Sequence, residues 1–134
     1  MIDNNLIQEA IVAKLKANST LTTSLATSTE IREDQFQGIT YSYPCVRVKI
    51  GEQVPKIPNC PIYSQPFTIQ SMSEQDSSKE ANHIAYLVSE AIKKGFTYKT
   101  VKFIMVSRTL VEAVRNDQRT WLAEVRYASL VQDV

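Results

Sequence analysis

The sequence predicts an α+β fold: a mostly antiparallel sheet of about four strands, with one long helix packed on one face and an N-terminal helix. Three observations predict it. The stretch DSSKEANHIAYLVSEAIKK, Asp76 to Lys94, carries Ala81, Ile84, Ala85, Val88, Ala91 and Ile92 at helical spacing, which makes one apolar stripe. The segments on both sides alternate with a period of two, the pattern of half-buried strands. A lone stripe that needs covering, set between β-rich segments, places one helix on one face of a sheet.

The ends of that helix are signalled locally. Ser77 followed by Glu80 fits a capping box, in which the hydroxyl accepts from an early backbone N–H and the carboxylate reaches back. Lys93 and Lys94 suit the negative end of the helix dipole, and Gly95 is a natural residue for a left-handed cap.

At the N-terminus, Asn4 or Asn5 can cap a first helix whose stripe is Leu6, Ile7, Ala10, Ile11 and Leu15. Thr20 to Thr29 is rich in Ser and Thr, with Leu21 and Leu25 four apart. It reads either as a short helical turn or as a loop that pins two leucines to the core. Glu30 to Glu33 reads as a short strand around Ile31, and Asp34 to Tyr43, with Gly38, as a connection.

Pro44 opens an extended segment in which Val46, Val48 and Ile50 alternate with Cys45, Arg47 and Lys49. Pro55, Pro58, Pro61 and Pro66 then follow closely. Proline lacks a ladder donor, so this stretch reads as a projecting loop or loose hairpin end. Its Val54, Ile57, Ile62 and Tyr63 are more apolar than a solvated loop needs. The next strand has Phe67 and Ile69 facing one way, Thr68 and Gln70 the other.

After Gly95, Thr97 to Val114 is β-rich. Val101, Phe103 and Met105 point one way and Ile104 and Val106 the other, with burial on both faces over part of the run. Asn116-Asp117 marks a turn. In the last strand, Thr120 to Val131, Trp121, Ala123, Val125 and Tyr127 share a face, and Glu124 and Arg126 lie opposite. An antiparallel hairpin is the simplest pairing of these two runs.

At 134 residues and 43% hydrophobic, the chain has the size and core of one domain, residues 1–134. Lys+Arg 15 against Asp+Glu 14 gives a net charge of +1, which argues against a chain-wide nucleic-acid footprint and leaves local basic patches open. No apolar run is long enough to cross a bilayer, so no membrane is expected. The opening MIDNNLIQEA, acidic and polar, is unlike a signal peptide.

Catalytic chemistry finds little support, and no catalytic, cofactor or metal residues are expected. Cys45, Cys60 and His83 are too few for a zinc site built from Cys and His alone. A disulfide stays open, and two reduced thiols is the plainer reading. His83 lies beside the helical stripe with no metal-binding spacing, which suits a structural or surface histidine. Cys45 as a nucleophile needs a nearby histidine and a lowered pKa. Glu30, Glu33 and Asp34 could pair for acid–base work or hold a cation, but with Arg32 among them they read as a solvated mixed-charge loop. Gly38, Gly51 and Gly95 are isolated and make no phosphate loop. Arg47, Lys49, Lys56, Lys99, Lys102, Arg108, Arg115, Arg119 and Arg126 are scattered along strands and turns. They could gather on one sheet face or rim and meet nucleic acid, while interleaved Glu52, Glu112, Asp117 and Glu124 favour a salt-bridged, mixed-charge interface.

The order of elements carries a resemblance. A leucine-bearing N-terminal helix precedes a strand headed by Tyr41-Ser42-Tyr43-Pro44. A proline-rich excursion follows, then Phe67-Thr-Ile-Gln-Ser-Met-Ser73, and a helix with Glu80, Ala81, Ile84 and Ala85. Two long strands close the chain, the last with Arg126-Tyr127. In this the chain resembles the tail terminator and tail completion proteins of tailed bacteriophages over nearly its whole length. It carries Gln75, Asp76 and Ser77 where that family typically has glycines.

The resemblance implies a structural protein of the virion, in the tail or neck, assembled in the host cytoplasm and without enzymatic activity. Its partners would be copies of itself in a ring, usually hexameric, the tail tube protein, and the head-side connector or neck protein. Genome DNA would pass through the lumen without specific binding. The ring would cap the tube and end tail elongation. The expected subunit or partner interface is Arg47, Lys49, Val54, Pro55, Ile57, Tyr63, Arg115, Asp117 and Arg119. Other readings are a neck or head-completion adaptor of the same virion, a small nucleic-acid-binding module, and an enzyme using Cys45, His83 or the acidic cluster.

Overall fold

The computed structural model describes residues 1–25, 30–33, 43–75, 77–115 and 120–133, and for Glu33 the backbone alone. The elements in chain order are α1 (Asn4–Lys16), α2 (Ser19–Ser24), β1 (Ile31–Glu33), β2 (Cys45–Ile50), β3 (Val54–Pro55), β4 (Ile62–Ser64), β5 (Phe67–Ser73), α3 (Lys79–Ala91), β6 (Phe96–Tyr98), β7 (Val101–Arg115) and β8 (Trp121–Asp133).

The sheet is organised about β8. One edge of β8 pairs antiparallel with β5 and then β4, and the other pairs with β7. β2 pairs with β5, β3 with β4, and β6 with the start of β7, all antiparallel; β1 adds to β2 in parallel. The expectation of about four mostly antiparallel strands under one long helix is therefore corrected. Among the described residues the sheet has eight strands and curls into a mixed half-barrel. α3 has 13 residues, the same as α1, so no single long helix dominates.

The register explains why the proline-rich stretch is sheet rather than loop. Ser64 faces Leu130 and Phe67 faces Tyr127, so β4 and β5 advance along β8 without a slip. Gln65 keeps the ladder by donating its N–H to the Ser129 carbonyl at 2.9 Å, while Pro66 sits where no donor is needed. On the neighbouring strand, Ile50 faces Phe67 but Val54 faces Ser64, so four residues match three. That one-residue bulge lies at Gly51–Gln53. A Cβ on Gly51 would stand 2.9 Å from the Pro66 ring, so glycine lets the two chains close there. Gln65, fully buried, ties the bulge through its side-chain amide to the Gly51 carbonyl at 2.9 Å. β2–β3 and β4–β5 are thus two arms of one long hairpin with its tip at Lys56–Pro61.

β7 also departs from the expected alternation. Register shifts lie between Phe103 and Met105 and between Val111 and Val114. The first turns Met105 outward and Val106 inward, so Val101 and Phe103 are buried while Met105 is 61% exposed. Burial on both faces does not occur: beyond Phe103, where β6 stops, the outer edge of β7 has no strand partner among the described residues. The β7–β8 hairpin itself forms as expected, and Ala123, Val125, Tyr127 and Val131 are buried on its inner face.

Both longer helices cover that inner face. Asp3, rather than Asn4 or Asn5, caps α1 by accepting from the Asn5 N–H at 2.9 Å. Ile7, Ala10, Ile11 and Leu15 are buried beneath it. The Thr20 region resolves in its first half to a helical turn that buries Leu21. On α3, Ala81, Ile84, Ala85 and Val88 are buried and Ile92 follows as the cap residue. Its capping box forms by half: Ser77 Oγ accepts from the Lys79 N–H at 3.4 Å, but the Glu80 carboxylate, instead of reaching back, accepts from Ser73 Oγ and Gln75 Nε2, both at 2.8 Å. Gly95 is not the helix cap. A Cβ there would collide with the Phe103 carbonyl, so its small size serves backbone approach to the β7 bulge.

Phe67 stacks on Tyr127 with centroids 4.6 Å apart, and Phe96 on Phe103 at 4.4 Å, so aromatic pairs bind β5 to β8 and β6 to β7.

Candidate functional site

The inner face of the sheet is covered by helices, so surface for partners is found on the outer face, the free strand edges and the hairpin ends. Of the nine expected interface residues, the seven that are described fall in three separate places. Val54 and Pro55 lie on β3, Ile57 at the hairpin tip and Tyr63 on β4. Arg47 and Lys49 lie on the outer face of β2, opposite the helices. Arg115 lies at the far end of β7, with its guanidinium over the Trp121 ring at 5.4 Å. Asp117 and Arg119 lie outside the described residues, as do Tyr41, Ser42 and Asp34.

The hairpin tip is an apolar prominence. Val54, Ile57 and Met1 are all exposed, Met1 to 70%. Pro55, Ile57, Cys60, Tyr63 and Met1 border one shallow depression of about 480 Å³. Tyr63 differs from the others: it faces inward, is half-buried and packs on the core. Apolar side chains are also exposed along β7, at Ile104, Met105, Leu110 and Val114, with Met105 and Val114 on the outer side and Leu110 beside Val125 on the inner, a feature the alternation pattern had concealed. An unpaired strand edge with exposed apolar side chains is the kind of surface that takes a partner chain.

On the outer face, aligned positions of neighbouring strands build a polar network. Arg47 donates through Nε and Nη2 to Gln70 Oε1 at 2.9 and 2.6 Å. Gln70 Nε2 reaches Glu124 Oε2 at 3.5 Å, and Arg126 pairs with Glu124 at 3.4 Å. Beside it, Lys49, Gly51, Pro66, Thr68, Glu124 and Arg126 border a cleft of about 390 Å³.

The candidate chemical residues are not brought together. His83 is exposed on α3. Cys45 is fully buried, and its burial, with Glu30 nearby, pushes the thiol up to about 12, the opposite of an activated nucleophile. Cys45 and Cys60 are free thiols. Glu30 is not solvated as expected: it is buried and paired with Arg32 at 3.0 Å. Among the described residues no group of three or more His, Cys, Asp or Glu gathers to hold a metal ion, and no helix is long and apolar enough to cross a membrane.

The chain matches no protein-family model, and no curated protein matches it in sequence. Its fold, however, is found among solved structures. A chain in the structure described as "Virion of native gene transfer agent (GTA) particle" superposes with a TM-score of 0.74 over 96% of this chain and 96% of that one. The two share one fold from end to end. At 14% identity the likeness is one of architecture.

Proposed function

We propose that the chain is a structural protein of a phage-like virion, without enzymatic activity. It assembles with copies of itself into a ring that caps the tail tube, ends tail elongation and joins the tail to the head connector. The observation that carries the virion reading is the end-to-end likeness to a chain of the GTA virion particle. The resemblance in element order to tail terminators supports the position at the tail end. The shape of the surface agrees with self-assembly. A ring needs two different patches that meet head to tail and close. The apolar hairpin tip and the exposed apolar edge of β7 are two such patches on separate parts of the subunit.

The test is addition of the purified protein to tail tube protein as it polymerises. A terminator stops growth and is found at one end of each tube by immunogold labelling. Unchanged tube length with no end labelling would rule out the capping role. Binding to the connector alone would assign the chain to the neck instead.

A further inference from the structure

The near-neutral total charge hides a cluster of cations on the outer face of the sheet. Strand positions alternate between faces, so the register assigns each cation to one side. Lys49 faces Thr68, which faces Arg126, on the outer side of β2, β5 and β8. Farther along the same side, Lys102 faces Gln132, which faces Ile62, and the Lys56 N–H bonds to the Ile62 carbonyl. Lys49, Lys56, Lys102 and Arg126 therefore share the face opposite the described helices. Glu124 is the sole carboxylate among the paired strand positions of that face, and it is engaged by Gln70 and Arg126. On the other side, Glu9, Glu80 and Glu90 of the helix layer are matched by Lys14, Lys16 and Lys79.

We propose that this face binds the phosphate backbone of duplex DNA without reading sequence. Lys49 and Arg126 stand two strands apart, roughly 10 Å, and the Lys56–Lys102 row lies about 20 Å farther along the strands. A duplex presents one charge per about 1.7 Å of axis, so a stretch spanning those rows offers roughly 12 phosphates to these cations. Lys49, Lys56 and Lys102 have no ion-pair partner among the described residues, and the Arg126 side chain is 61% exposed. Between the rows the same face carries Ser107 and Ala128, then Val54, Ser64, Leu130 and Met105, so the cations flank a strip of small and apolar side chains. No aromatic residue occupies the described strand positions of this face, so it lacks the stacking platform that single strands use. Gln70 is held between Arg47 and Glu124 and is not available to read base edges. The proposal does not rest on the ring: a monomer that binds duplex through this face would sink the ring and keep the proposal, and a ring that ignores DNA would do the reverse.

Fluorescence anisotropy with short labelled duplexes of two unrelated sequences tests it. Both should bind equally, and with four phosphate contacts affinity should fall by roughly 100-fold between about 50 and 200 mM salt. Combining Lys49→Gln, Lys56→Gln, Lys102→Gln and Arg126→Gln should abolish most of that salt dependence. Lys79→Gln with Lys94→Gln, on the helix side, should not. Lys102→Gln alone, at an exposed site, should lower the log–log salt slope by about 1, which keeps the test open should the combined variant misfold. No salt-dependent binding by the wild type, an unchanged slope in Lys102→Gln, or stronger binding to polyglutamate than to duplex at equal charge would overturn the proposal.

Discussion

The Tyr127 hydroxyl donates to the Ile92 carbonyl at 2.7 Å, and so ties the end of α3 to the central strand of the sheet. At the other end of the helix, Ser71 Oγ donates to the Ala81 carbonyl at 2.8 Å. Two buried side chains of the sheet thus fix a helix that has only half of its expected capping box and no glycine cap. Tyr127→Phe should leave the buried Ile92 carbonyl without this donor and cost about 1–3 kcal/mol. Urea denaturation measures the loss, and hydrogen exchange should report it first at the end of α3. An unchanged midpoint would show that the bond contributes nothing to the fold.

Gly95→Ala should be more damaging than the same change in an exposed turn. The new methyl would meet the Phe103 carbonyl and stand 2.9 Å from that of Ile104, both backbone atoms that cannot swing away. Overpacking of this kind costs typically about 1–3 kcal/mol. A drop in thermal midpoint with β6 amides exchanging faster is the expected outcome.

The hairpin residues should separate into two classes. Val54 and Ile57 are exposed, so Val54→Ser and Ile57→Ser should shift stability by no more than about 0.5 kcal/mol. Both should weaken self-assembly. Tyr63 is half-buried on the core, so Tyr63→Ser should lower the melting temperature itself. Calorimetry of each variant beside its sedimentation profile distinguishes the two effects. Loss of stability in Val54→Ser with assembly intact would assign the tip to the core.

Cys45 should be silent to thiol reagents in the native state. Its thiol is pushed up to about 12 by burial, so it stays protonated at neutral pH. Ellman's reagent should label Cys60 in the folded protein and both thiols in denaturant. The linkage has a definite sign. The folded-state pKa lies above the unfolded one, so this contribution is intact below the ordinary thiol range and is lost as pH rises from about 9 toward about 12. Cys45→Ala should remove that part of the alkaline destabilisation.

Much of the fold was legible because burial writes itself into short-range periodicity. Ile7, Ile11 and Leu15 on α1, Val46 and Val48 on β2, and Trp121 to Tyr127 on β8 all stand on the faces their spacing indicated. What was hidden arose where periodicity is broken. The bulge near Ile104 reverses the faces of β7, and nothing in the local sequence marks it. Four prolines concealed β3 and β4, because their compatibility with the sheet depends on which N–H groups face a neighbour, a tertiary fact. Strand count and curl follow from those same pairings. That scattered cations could gather on one sheet face was legible, but which ones was not: Lys49, Lys56, Lys102 and Arg126 become neighbours only through the register.

The central claim is that copies of this chain close into a ring. Light scattering on the size-exclusion peak, with negative-stain images of the same fraction, tests it most directly. A discrete closed multiple of the monomer mass, seen as rings with a central hole, is the expected result. A monomer at every concentration, unable to bind tail-tube ends, would contradict it.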